Sequence, residues 1–460
     1  MPDGRRGEAP SPPVEKVLIA VNTFPATGGS RIDQFVKLLP EAGFEPVVLT
    51  IDQGPSTAKQ ELQARLYPAS LQVHRARPLG WSYFTERYLD RGPQSRHYRL
   101  LAALSFPERC ILVPDHMVRW IPLAIRRARD IVRREGIRLV LTSSPSESTH
   151  LIGLALQRTP GIRWVADFRD LWTEKDLLYR PATPLHDRFI QRLERSVFTR
   201  ADHVIANTPQ NAERHRRRFG LTDDRMTLIP NGFDRDDLGD DPPAVADDGV
   251  FRIGYAGNLD KHDFPWKPFL DALRRLADDV GRARVRFVLC GYCSRQVTDY
   301  IQDQGIDDLV VRHGELTHVE AMRKVAGTDV LLALLYDNAY SDSIVPLKLY
   351  SYLPMRRPIL AIAPEEGATA ALIRATRTGI VIPPRVGVDP IVRALRSYFD
   401  AWQDGTLRHD PDETAIARYD RRTQTRELAA VFRRLMGGPE RSVGGRQEHA
   451  VPHQDAARAR

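Results

Sequence analysis

SDSIVPLKLYSYLPMRRPILAI, running from Ser341 to Ile362, decides how the rest of the chain is read. It reads as a short polar loop, a helix of about two turns, a tight turn and a buried strand. Ser341, Asp342 and Ser343 offer side-chain acceptors to the free N–H groups of a helix start, and Pro346 suits a first helical turn. Lys348 and Ser351 are three apart and share a helix face. Pro354 and Pro358 stop the helix, and Ile359, Leu360 and Ile362 follow as strand. A lysine in the first turn of a helix makes an anion site, since the unpaired N–H groups and the helix dipole favour negative charge. The same residues also suit any helix that feeds a parallel strand and carries a solvated lysine.

Working outward, 460 residues suffice for two domains, and 42% hydrophobic with 27% charged residues describe globular material with an ample core. Val330 to Leu335, the best apolar run, falls far short of the roughly 18 residues that span a bilayer. The N-terminal MPDGRRGEAPSPP lacks the apolar centre of a secretory signal, so a cytoplasmic protein is expected. Three cysteines are too few and odd for a disulfide framework. Cys290 and Cys293 form a C-G-Y-C pair with no second pair to close a zinc site, and read as incidental thiols. The net charge of +8 is carried by arginine runs such as RRARDIVRR (126–134) and Arg214 to Arg218. Such faces suit anionic lipid headgroups, or are the solvated sides of helices. They lack the interleaved aromatic residues that stack bases, so no nucleic acid partner is expected.

In chain order, residues 1–13 have no apolar periodicity and read as disordered. KVLIAVN (16–22) is a continuous apolar run of the central-strand kind. A loop with Gly28 and Gly29, an amphipathic helix and a strand over 44–51 follow, a βαβ start in which the glycines let a ligand approach the backbone. Residues 55–115 are irregular and aromatic, as expected of acceptor-side insertions. A helix over 120–134 leads to a strand over 139–142 and to the loop Ser143-Ser144-Pro145. His150 then sits in a first helical turn, either as a surface residue or beside a ligand at the carboxyl end of a strand. WVADFRDLW (164–172) is a strand whose carboxyl end presents Asp167, Arg169 and Asp170. Arg169 cannot act as a base at neutral pH, so it reads as a fixed positive charge facing phosphate, or as half of a structural Asp–Arg pair.

After a strand over 201–206, Asn231-Gly232-Phe233-Asp234 and an acidic, proline-bearing run read as a linker between domains. Strand–helix alternation then restarts, with strands expected over 251–256, 285–290, 309–311, 330–334, 358–362 and 379–382. The boundaries read as a first Rossmann-like domain over 14–235 and a second over 236–400. A return helix region over 401–436 follows, with its amphipathic helix over 426–436, and then a disordered tail over 437–460.

The 341–362 stretch resembles the donor-nucleotide segment P-x-K-x-x-E-Y-L-x-x-x-R-P-I-L of family 4-like glycosyltransferases. Pro346, Lys348, Tyr352, Leu353, Arg357, Pro358, Ile359 and Leu360 match it. Asp167-Phe168-Arg169-Asp170 resembles the D-F-R-D-P-W box of a subset of them, with Leu171 in place of the proline. The resemblance implies a GT-B fold: two Rossmann-like α/β domains with parallel sheets facing a cleft, and a C-terminal helix crossing back. It implies transfer of a sugar from a UDP-, GDP- or TDP-linked donor to a glycan or lipid-linked acceptor, with retention. No cofactor is expected beyond that substrate, and no metal ion.

By the same resemblance, Gly28 and Gly29 lie beneath the donor, and Asn258 stands where the family has a phosphate-binding arginine. Lys261, or alternatively Lys267, takes the place of its lysine. The family's two glutamates fall on Ser343 and Ser351, both serine here. Arg169, Asp170 and His150 are the expected catalytic-side residues. Alternatives are a non-catalytic scaffold of the same fold, or a sugar-nucleotide epimerase. The basic helices add an expected peripheral contact with a membrane.

Overall fold

The run at 16–22 forms β1 (Glu15–Ala20), and its burial on both faces is what a central parallel strand requires. In the computed structural model, which describes residues 14–26, 30–52, 67–79, 112–174, 183–238, 243–259, 264–407 and 409–437, this strand sits inside a seven-stranded sheet. Its partners are β2 (Phe44–Ile51), β3 (Gln72–Ala76), β4 (Leu139–Ser143), β5 (Arg163–Phe168), β6 (His203–Ala206) and β7 (Met226–Leu228), in the order β3-β2-β1-β4-β5-β6-β7. The second sheet has six strands: β8 (Phe251–Ala256), β9 (Val285–Cys290), β10 (Val310–Gly314), β11 (Val330–Leu334), β12 (Ile359–Ile362) and β13 (Gly379–Ile382), in the order β10-β9-β8-β11-β12-β13. Every pairing in both sheets is parallel. The strand order reverses between β1 and β4 and between β8 and β11, so both lobes are doubly wound and open crevices at their carboxyl ends.

The lobes are joined twice. Asn231 to Asp234 leads out of the first lobe, and the helix Arg421–Gly437 returns to it. The two crossings are stitched together: Phe233 N donates to Tyr419 O (3.0 Å) and Arg421 N to Phe233 O (3.0 Å). Glycine is required at 232, because a Cβ there would lie 2.1 Å from the Tyr419 carbonyl oxygen. The return helix lays Leu428, Ala429, Val431 and Phe432 on the first sheet's core beside Val17, Ile19 and Phe44. Among the described residues, no helix is long and apolar enough to cross a membrane.

The quoted stretch folds differently at its start from the sequence expectation. Ser341–Ser343 is a separate 3-10 turn, and the helix Leu347–Tyr352 begins after Pro346 with no side-chain cap. The serines satisfy their own loop instead: Ser341 Oγ bonds both backbone groups of Asn338, and Ser343 Oγ donates to Tyr340 O (2.9 Å). The expectations for residues 1–13, Gly28, Gly29 and Lys261, for most of 55–115 and for 438–460 lie outside the described residues.

Candidate functional site

Loops from the carboxyl ends of both sheets face each other across a cleft of about 640 Å³. The second lobe supplies Gly257 and Asn258 after β8, Leu335 and Tyr336 after β11, and Tyr340, Ser343 and Lys348 from the quoted stretch. The first lobe supplies Arg169 and Asp170 after β5 and Asn207 after β6. Arg169, Asp170, Asn258, Ser343 and Lys348, expected from sequence to work together, are thus brought to one place. Ser351 does not line the cleft.

Lys348 is held by the turn after β8. Its Nζ lies 3.6 Å from the centre of the Tyr255 ring, a cation–π contact, and a Cβ on Gly257 would come within 3.0 Å of it. Gly257 has φ of +116°, which a side chain would strain, so both backbone and space at this position favour glycine. Tyr255 Oη donates to Asn258 O (3.0 Å), and Ala256 N donates to Tyr352 Oη (3.0 Å), which locks the turn to the lysine-bearing helix. That helix has only six residues, so the ammonium rather than a helix dipole is the positive charge this wall presents to the cleft.

On the opposite wall, the backbone of Arg169 is clamped. Its N–H donates to Ser144 Oγ (3.0 Å), and its carbonyl accepts from Asn207 Nδ2, while Asn207 Oδ1 accepts from Asn211 Nδ2 (2.9 Å). Asp170 faces the second lobe: burial first, and then its negative charge, push the Tyr336 phenol above its ordinary value. The structural Asp–Arg pair exists, but with a different arginine. Asp167 pairs with Arg31 Nη2 at 3.0 Å, both fully buried, and takes a hydrogen bond from Ser143 Oγ (2.7 Å). Arg31 Nη1 also donates to the carbonyls of Ile229 and Pro230, tying the first helix to the linker. Burial lowers the Arg31 pKa, against the pull of Asp167.

His150 is a correction. It is neither a surface residue nor part of the cleft, because its helix His150–Leu156 packs on the sheet and buries the ring completely. Its Nδ1 lies 2.8 Å from Thr142 Oγ1, which accepts from Trp164 Nε1 (2.8 Å), and the ring packs 4.3 Å from Phe168. Lys267, the alternative to Lys261, stands over the rings of Trp266 and Tyr300. Cys290 is buried, which pushes its thiol up to about 11, and it has no disulfide.

Sequence reasoning missed Arg31, Asn207, Asn211 and Arg421. For the two arginines a signal was present. Arg31 is four residues before Phe35, on the apolar face of its helix, and Arg421 continues backwards the stripe Gln424, Leu428, Val431 and Leu435. A cation on a buried stripe needs a reason.

Residues 90–237 match the family model for Glycosyltransferase Family 4. No curated protein sequence matches the chain. Among solved structures, a glycosyltransferase from Rickettsia africae ESF-5 is similar at a TM-score of 0.60 and 12% identity, over 92% of this chain and 99% of that one. Sucrose-phosphate synthase (tll1590) from Thermosynechococcus elongatus gives 0.59 and 14%, over 92% and 99%. Anabaena Alr3699/HepE in complex with UDP gives 0.57 and 14%, over 91% and 100%. With two facing parallel sheets and a helix that crosses back, the chain has the GT-B fold of these glycosyltransferases.

Proposed function

We propose that this chain is a glycosyltransferase that moves a sugar from a nucleoside-diphosphate donor to an acceptor hydroxyl. The observation that carries the reading is the Lys348 ammonium, held over the Gly257 turn inside a cleft between the carboxyl ends of two sheets. The family match over residues 90–237 and the UDP complex of a protein of the same fold support it.

In the reaction, the bond from the anomeric carbon to the diphosphate breaks and a bond to the acceptor oxygen forms, while the hydroxyl proton passes to the departing phosphate oxygen. Negative charge grows on the diphosphate, and fixed cations placed there lower the barrier without reorganising. Lys348 from the second lobe and Arg169 from the first are the groups we assign to it, with Asn258 donating from its turn. Asp170 is assigned to the acceptor side, where its carboxylate orients the incoming hydroxyl. Retention of configuration, independence of metal ions, and an acceptor in polysaccharide or lipid-linked glycan synthesis at the cytoplasmic membrane face belong to the same proposal.

One observation favours a second reading, a nucleotide-sugar-binding protein without turnover. Both glutamate positions are serine and supply no carboxylate, and neither compensates: Ser343 donates its hydroxyl to the Tyr340 carbonyl and Ser351 lies off the cleft. A thermal-shift panel of UDP, GDP, TDP and their sugars, followed by mass spectrometry of donor incubated with and without EDTA, separates the readings. A transferase stabilised by one nucleotide also transfers or slowly hydrolyses its sugar, with or without EDTA. Binding with no loss of donor supports the second reading, and no binding at all ends both.

A further inference from the structure

A guanidinium buried without a carboxylate is costly, because the interior returns little of the hydration it lost. Beside this cleft three arginines converge from three distant segments. Arg31 begins the first helix, Arg169 follows β5, and Arg421 begins the return helix. Arg31 and Arg421 are almost wholly buried. The carboxylate among them is Asp167, which is already shared between Arg31 and the Ser143 hydroxyl. Arg421 Nη1 has only the neutral Gln424 Oε1, at 2.9 Å, and among the described residues no ion pair involves Arg421 or Arg169.

The three charges feel one another. Burial first, then Arg31 and Arg169, bring Arg421 down to about 9. After burial and the opposing pull of Asp167, Arg169 also weighs on Arg31. Their common neighbour is Tyr350, a buried ring in the cleft lining whose phenol senses both Arg31 and Arg421. Gln424, which holds Arg421, also donates to the carbonyl of Asn231, another lining residue, at 3.1 Å. The positive potential therefore opens onto the cleft at Arg169; a second carboxylate, Glu427 of the return helix, senses Arg31 but among the described residues forms no ion pair with any of the three arginines.

We infer that Arg31, Arg169 and Arg421 form a charged floor that binds an anionic group, a phosphate or diphosphate, on the first-lobe side of the cleft. Arg169 contacts the anion, and the two buried arginines are positioning residues that sustain the field behind it. The inference rests on the glycosyl-transfer reading only for the anion's source, which is either the donor diphosphate or an anionic acceptor. Its physical content is that the ligand-free fold carries a repulsion that the anion relieves. The backbone tie between Arg421 and Phe233 remains in any Arg421 variant, so removal of the charge separates field from scaffold.

Thermal unfolding and calorimetric titration of the full chain with sodium pyrophosphate and with UDP, at low salt with a chloride control, test this for wild type, Arg421→Met, Arg421→Lys and Arg169→Met. Pyrophosphate is expected to raise the wild-type Tm. Arg421→Met is expected to melt no lower than wild type without ligand, yet to bind pyrophosphate about tenfold more weakly, as does Arg169→Met, while Arg421→Lys recovers most of the loss. Competition between UDP and pyrophosphate, with UDP weakened in both Met variants, assigns the floor to the donor. Pyrophosphate binding to UDP-saturated protein assigns it to an acceptor anion. No wild-type shift, or unchanged pyrophosphate affinity in the part-exposed Arg169→Met variant, overturns the inference, as does an Arg421→Met variant that loses stability but keeps the full pyrophosphate increment. Pyrophosphate binding without any nucleoside-diphosphate binding leaves the floor standing and removes the transferase.

Discussion

At Lys348 the ring of Tyr255 and the bare Gly257 leave the ammonium little freedom, so the charge is placed before any ligand arrives. Removing it should therefore cost binding rather than folding. Lys348→Ala is expected to weaken the cognate nucleoside diphosphate by about 1.5–3 kcal/mol, the worth of a charge-assisted hydrogen bond, with the Tm nearly unchanged. Isothermal titration with the nucleotide found in the thermal-shift panel measures it. This residue was legible from sequence because its neighbours form a dense local pattern. Asn258, Arg169 and Asp170 were legible as residues that follow strands. His150 was misread for the same reason, since sequence places a residue at the end of a strand but does not say which way the next helix turns its first side chain. Arg31 and Arg421 meet only through tertiary packing, 390 positions apart in the chain, and no local pattern announces the meeting.

At the scale of elements, the central strands were readable because two-sided burial demands unbroken apolar runs. The strands over 44–51, 251–256, 285–290 and 330–334 appear with the expected limits, as does the edge strand over 379–382, whose short Gly-Ile-Val-Ile run shows in the sequence although it is largely exposed. The edge strand β3 was missed, since QVHRA has one buried residue and no run to see. The return helix was expected over 426–436 and starts earlier, at Arg421, because its first turn is buried by polar residues. Its apolar face finishes the first lobe: Phe432 is fully buried and meets Phe44 edge-on at 5.3 Å. Phe432→Ala should cost about 3–5 kcal/mol, as truncation of a buried phenylalanine does elsewhere. Chemical denaturation followed by Trp fluorescence measures it, and the loss should appear in the transition that unfolds the first lobe.

Across the whole molecule, the lobes touch on both sides of the cleft. Near the linker, Lys37 holds Asp234 (2.8 Å) and Asp236 (2.9 Å). At the far rim, Arg214 of the helix Pro209–Phe219 grips Asp342 through two hydrogen bonds (3.1 and 2.9 Å) and lies over the Tyr340 ring. Asp342 belongs to the loop that carries Ser343, so the first lobe helps to place the cleft wall of the second. A part-exposed pair of this kind adds under about 1 kcal/mol to stability, and its effect belongs in the cleft. Arg214→Glu is expected to weaken nucleotide binding by about two- to fivefold, and the swap Arg214→Glu with Asp342→Arg to restore most of it. A double-mutant cycle on the nucleotide Kd reads this, and additive losses would show that the pair does not couple the lobes.

The return helix has a further consequence during synthesis on the ribosome. Residues 15–228 emerge first, but part of their hydrophobic interior is supplied by 428–432, among the last described residues to leave the exit tunnel. The core of the sheet made later closes with residues no later than Ile416, so the half translated first is the last to be completed.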